Sequence, residues 1–99
     1  MKVYLSEKHV GRDVLVAVCD EDVIGKTFRE GRLKLEVKES FYGGRLVRVE
    51  DALKAIERAT IVNLTGNMII SKAIEAGLIH PEGVIRIQGV AHAQKVVIL

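Results

Sequence analysis

The stretch richest in potential chemistry is Gly89-Val90-Ala91-His92-Ala93-Gln94, where an imidazole and an amide stand among residues with little or no side chain. Imidazole titrates near neutral pH, and the Gln94 amide offers donors and an acceptor. Small neighbours let a ligand approach the backbone, so a loop here is a candidate binding element. The plainer alternative is a tight loop in which His92 and Gln94 satisfy buried backbone groups. A second candidate is Thr65-Gly66-Asn67, where a strand ends and a helix begins. Unpaired N–H groups and the helix dipole attract phosphate or carboxylate at such a terminus. No Gly-x-x-x-x-Gly-Lys or Gly-x-Gly-x-x-Gly pattern accompanies it, and capping by Thr65 or Asn67 explains the residues without a ligand. Asn63, one step inside the preceding apolar run, must find partners or cost about 1–3 kcal/mol, so it either pins a neighbouring loop or points at a site.

Cys19 and Asp20 end another apolar run. The ends of central strands are where α/β sheets place ligands, and a thiol beside His92 would form a nucleophile–base pair. A lone Cys in such a run is more simply a small buried hydrophobe. Cys19, Asp20, Asn63, Thr65, Gly66, Asn67, His92 and Gln94 therefore make up the candidate binding set, with a catalytic role assigned to none. His9, His80, His92 and Cys19 lack metal-ligand spacing, and Asp20-Glu21-Asp22 is not a calcium loop, so neither metal nor cofactor is expected.

A separate group, Arg29, Arg32, Lys34, Lys38, Tyr42, Arg45 and Arg48, forms a candidate nucleic-acid face along one strand and the turn after it. Basic side chains beside aromatic rings track phosphates and stack bases. Glu30, Glu36 and Glu39 interrupt the positive field, and a charged strand face that resists edge pairing is the alternative. The formal net charge of +2 permits nucleic acid without calling for it.

The elements that must position these groups fit one domain over residues 1–99, since 99 residues leave room for a single core. Hydrophobic residues are 48% of the chain and aromatics 4%, so that core is aliphatic. Alternation predicts a half-exposed strand over residues 1–6, a turn through Gly11, and a doubly buried strand over 14–19. Residues 23–30 read as a turn or helical loop. Residues 32–38 alternate cleanly, with Leu33, Leu35 and Val37 inward. A turn at Phe41-Tyr42-Gly43-Gly44 precedes a short strand over 46–49. A helix capped by Asp51 runs to about Ala59, residues 61–64 form a buried strand, and a second helix runs to Ala76 with Gly77 closing it. Strands follow at 84–87 and 96–99, with residues 89–94 as a loop between them. The expected fold is a mixed α/β domain, a small mixed sheet with two main helices and a strand-rich first half.

Several segments together resemble the archaeal domain-of-unknown-function 424 family. They are Cys19-Asp20-Glu21-Asp22 with Gly25-Lys26, Phe41-Tyr42-Gly43-Gly44, Val62-Asn63-Leu64-Thr65-Gly66, and Ile87-Gln88-Gly89-Val90-Ala91-His92-Ala93-Gln94. The likeness spans essentially the whole chain, and the last run is its most specific part, with Ala91 where the family pattern leads one to expect Pro. The resemblance implies an archaeal, cytoplasmic protein with a single α/β domain. It implies no chemistry, because the family carries no established activity.

A single Cys excludes an internal disulfide and suits a reducing compartment. No apolar run approaches the roughly 20 residues that cross a bilayer, and no leader is expected. Three functions remain. The first is a non-catalytic binding module contacting RNA or a ribonucleoprotein, translation-linked partner. The second is a small ligand-binding domain or enzyme with a pocket around Cys19, Asn63, Gly66, His92 and Gln94. The third is a structural subunit of an oligomer, a homo-oligomer among them, or of a larger assembly. Binding is preferred, because 99 residues leave little material for a walled pocket.

Overall fold

Alternating apolar and polar side chains make the opening segment a strand, β1 (Lys2–Val10), which turns through Gly11 into β2 (Asp13–Asp20). The computed structural model describes residues 1–98. A turn of 3-10 helix (Glu21–Val23) leads to a hairpin, β3 (Thr27–Glu30) and β4 (Leu33–Glu36), then to α1 (Glu39–Tyr42) and β5 (Arg45–Arg48). The second half contains α2 (Val49–Arg58), β6 (Ile61–Thr65), α3 (Asn67–Glu75), a 3-10 turn (Pro81–Gly83), β7 (Ile85–Ile87) and β8 (Val90–Val96).

Six strands form one mixed sheet in the order β5-β1-β2-β6-β8-β7, with β2 and β6 parallel and every other neighbour antiparallel. Period-two alternation sorts its side chains to two faces. Val3, Leu5, Val16, Val18, Val62, Leu64, Ala91 and Ala93 meet Ala52, Ala55 and Ile56 of α2 and Ile69, Ile70 and Ala73 of α3 in the larger core. The other face carries a smaller core, in which Ala17 and Cys19 pack with Leu35, Val37, Tyr42 and Ile87 under the β3–β4 hairpin and α1. Helix α2 opens with Glu50 and Asp51 and closes with Arg58, charges that complement its dipole. Helix α3 ends in a Schellman arrangement: Leu78 N–H donates to Ala73 O and Gly77 N–H to Ile74 O, with Gly77 at φ 72°. No described helix is long and apolar enough to cross a membrane.

The mixed α/β class, the strand-rich first half and the two main helices are as the sequence predicts. Most of the segment 89–94 is not a loop: residues 90–94 lie in β8, joined to β7 by a tight turn at Gln88 (φ 52°) and Gly89 (φ 78°). Its small residues have another cause. Ala91 and Ala93 face α3 and are buried, so their size sets how closely the helix lies on the sheet. The last strand accordingly ends at Val96 rather than beginning there; Val97 N–H still donates to Thr60 O, and residue 99 lies outside the described residues. Leu35 and Val37 are buried as expected, but Leu33, next to the hairpin turn, is 49% exposed.

Candidate functional site

Strand register places the candidate residues in rows on the face opposite α2 and α3. Tyr4, Cys19, Thr65 and His92 lie opposite one another across β1, β2, β6 and β8, and Ser6, Ala17, Asn63 and Gln94 form the next row. The hairpin and α1 cover only part of this face. Between them and the sheet runs an open cleft of about 620 Å³, with Asn63, His92 and Gln94 among its lining residues and Lys8, Lys34 and Lys38 supplying its cations. A smaller depression of about 360 Å³ shares Lys34, Leu35, His92 and Gln94 with the cleft and adds Leu33, Ile85 and Ile87.

His92 is held by a hydrogen-bond chain that fixes its proton. The Tyr42 hydroxyl lies 3.0 Å from Thr65 Oγ1, which lies 2.9 Å from His92 Nδ1. Tyr42 is 3% exposed, and Thr65 is its hydroxyl's partner among the described residues. A buried O–H without an acceptor costs about 1–3 kcal/mol. Tyr42 therefore donates to Thr65, Thr65 donates to Nδ1, and the imidazole proton sits on Nε2, a tautomer assigned from the network. Protonating the ring would make Nδ1 a donor as well, and Thr65, accepting from both sides and fully buried, would keep a hydroxyl proton without an acceptor among the described residues. Burial acts in the same direction and pushes the His92 pKa below its usual value, outweighing the Leu64 backbone carbonyl, which favours the charged ring. The Tyr42 phenol is pushed up, also by burial. Nε2 makes no hydrogen bond among the described residues, nor do the Asn63 and Gln94 amides, and no polar side-chain atom there is both fully buried and unpartnered. These groups open toward the cleft.

Cys19, Asp20, Gly66 and Asn67 belong to a different, self-satisfied arrangement. The Asp20 carboxylate accepts from Met68 N–H at 2.8 Å and Ile69 N–H at 2.9 Å, so it occupies the start of α3 where an external anion would bind. Neither Thr65 nor Asn67 caps the helix: Gly66 is the N-cap residue, at φ 125°, and a Cβ there would collide with the Asp20 side chain. Burial raises the Asp20 pKa while the two backbone bonds pull it down. The Asn67 amide donates to Gly89 O and its oxygen accepts from Ala91 N–H, both at 2.9 Å, which pins the β7–β8 turn to α3. Cys19 is fully buried, and its thiol is pushed up to about 12, first by burial and then by Asp20 and Asp22. It shares a face with His92 but lies two strands away, roughly 10 Å, with Thr65 between them. They form no nucleophile–base pair.

The predicted basic face also divides. Lys34 and Lys38 line the cleft, while Tyr42 is buried beneath it. Arg29 sits on β3 opposite Lys34, and Arg32 in the hairpin turn. Arg45 and Arg48 lie on β5 at the far edge of the sheet, where Arg48 Nε is 3.8 Å from an Asp51 carboxylate oxygen. Lys34 Nζ is 2.8 Å from Glu36, whose pKa it lowers by hydrogen bond and charge. Lys8 escaped the sequence reading, because the polar run after Ser6 reads as a turn although β1 continues through it; its alternation with Tyr4 and Ser6 was the available signal.

The fold and cleft define a class: a one-sheet α/β domain with two helices covering one face and a partly covered, polar cleft on the other. The chain belongs to the family described as Protein of unknown function (DUF424), whose model matches residues 8–98, in accord with the resemblance read from its motifs. It is similar in structure to an uncharacterized conserved protein from Methanopyrus kandleri, seen in a crystal structure. The two share 26% sequence identity at a TM-score of 0.81, over 99% of this chain and 93% of that one. A search of the curated proteins found no match.

Proposed function

We propose that this protein is a non-catalytic, cytoplasmic binding module that takes RNA into the cleft between α1, β4 and the open half of the sheet. The observation that carries this reading is the convergence of Lys8, Lys34 and Lys38, from separate elements, around Asn63, His92 Nε2 and Gln94, groups with no partner among the described residues. Ammonium groups hold phosphates without reading sequence, and amides and a neutral imidazole supply the hydrogen bonds that distinguish bases. Glu36 at the same rim fixes Lys34 in place and limits the net local charge, which favours a few phosphate contacts over an extended backbone track. Catalysis is disfavoured because Cys19, the chain's thiol, is buried and protonated, and His92 Nδ1 is committed to Thr65.

The test is binding of a short single-stranded RNA over a range of salt concentrations. Engaging the lysine cluster releases counterions, so log K against log salt should fall with a slope of about −2 for three contacts. The combined variant K8Q/K34Q/K38Q should flatten that slope and lower affinity at low salt. Binding indifferent to salt, or unaffected by the combined variant, would reject RNA as the ligand of this cleft.

A further inference from the structure

The depression beside the cleft has a character that phosphate contacts leave unexplained. It exposes Leu33 (49%) and Ile85 (48%), large apolar side chains brought together from β4 and β7, with Leu35 and Ile87 behind them. Along its polar edge stand His92 and Gln94, and Lys34 is shared with the cleft. His92 is kept neutral, with Nε2–H outward, so this edge presents a donor with no formal charge. Apolar walls, an uncharged donor and an amide suit a flat heteroaromatic ring, whose faces are apolar and whose edge carries hydrogen-bonding groups. They do not suit a phosphate, which the adjoining lysines already suit.

We infer that this depression is a base subsite: it seats one unpaired nucleobase between Leu33 and Ile85, its edge read by His92 and Gln94, while the flanking phosphates rest on Lys8, Lys34 and Lys38. The inference rests on the RNA reading of the cleft and narrows it to single strands, because a base inside a duplex stays stacked and its edge stays paired. Charge complementarity at the rim and the uncovered apolar pair select this occupant.

The experiment compares a short single-stranded RNA with its duplex, with inorganic polyphosphate and with a set of the same strand carrying one abasic position each. Single strands are expected to bind best, and one interior abasic position is expected to weaken binding about tenfold. The variant L33S/I85S replaces exposed side chains and should remain folded, as circular dichroism would verify. It should lose the same factor, and the abasic strand should then lose nothing more. H92A should weaken the intact strand and not the abasic one. If abasic strands, duplex and polyphosphate bind as well as the intact strand, with a salt slope that the lysine variant removes, the base subsite is overturned while RNA binding stands. If no nucleic acid binds at low salt, the RNA reading itself fails and the base subsite falls with it.

Discussion

Two polar clusters lie within a few residues of each other on the same strands, and they behave in opposite ways. At the C-terminal ends of β2 and β6, Asp20, Gly66 and Asn67 use their hydrogen-bonding capacity on the protein: Asp20 on the first turn of α3, Asn67 on the β7–β8 turn. One row further back, Asn63 and Gln94 have no side-chain partner among the described residues, and His92 keeps one nitrogen free. Both clusters carry residue types that bind ligands. The difference lies in what is already satisfied, because a helix N-terminus filled by an internal carboxylate has nothing left for a phosphate. The first cluster is architecture and the second is the cleft, so substitutions should separate into those that cost stability and those that cost binding.

The largest effect is expected at Gly66. Its φ of 125° belongs to a region that side chains rarely adopt, and a Cβ would meet the Asp20 carboxylate. G66A should destabilise the fold by about 3 kcal/mol, measured by urea unfolding. A variant as stable as the parent would show that the α3 start does not depend on this close approach. D20A should come next, at about 2 kcal/mol, because it leaves the Met68 and Ile69 N–H groups without acceptors, while the relief of a buried carboxylate offsets part of the loss. RNA affinity of the folded fraction should not change.

How much of this could be read from the chain follows the same division. The doubly buried β2, the helix ending at Gly77 and the hydrophobic alternation of β1 depend on local pattern and were legible. So was the interest of Asn63, His92 and Gln94, since polar groups among small or apolar residues need an account. Long-range partners were not legible. Nothing local says that Asp20 would reach the start of α3, 48 and 49 positions away. Nor does anything local distinguish small residues in a loop from small residues under a helix, which is why β8 reads as a loop at Ala91 and Ala93. The basic face divided for the same reason: Arg45 follows Lys38 by only seven positions, but β5 crosses to the far edge of the sheet and takes its charges along.

A third prediction concerns the join between the two clusters, Thr65. T65V keeps the shape but removes the hydroxyl that links Tyr42 to His92, leaving a buried phenol and Nδ1 without partners. The expected cost is about 1.5 kcal/mol. In the parent protein, 15N spectra should show the Nε2–H tautomer of His92. The pH dependence follows from the lowered pKa. Above the ordinary histidine value both folded and unfolded chains are neutral here and His92 carries no penalty. As pH falls below it, the unfolded chain takes up the proton first, so stability declines until the folded value is passed. A His92 that titrates at or above the ordinary value would break the relay as drawn.

The smallest stability effect is the most informative for the comparison. Asn63 and Gln94 face each other across β6 and β8 with their amides unused among the described residues, so N63A/Q94A removes no side-chain hydrogen bond described there. Unfolding free energy should stay within about 0.5 kcal/mol of the parent, the range of surface changes that touch no structural feature. Affinity for single-stranded RNA should fall about tenfold, equivalent to about 1.4 kcal/mol. D20A predicts the reverse pattern, so the two variants test the division of labour together. Should N63A/Q94A unfold as readily as D20A, these amides would be holding the sheet, and the cleft would lose the groups that give it a reading function. Should it leave both stability and binding untouched, phosphate contact at the lysines would account for all of the affinity.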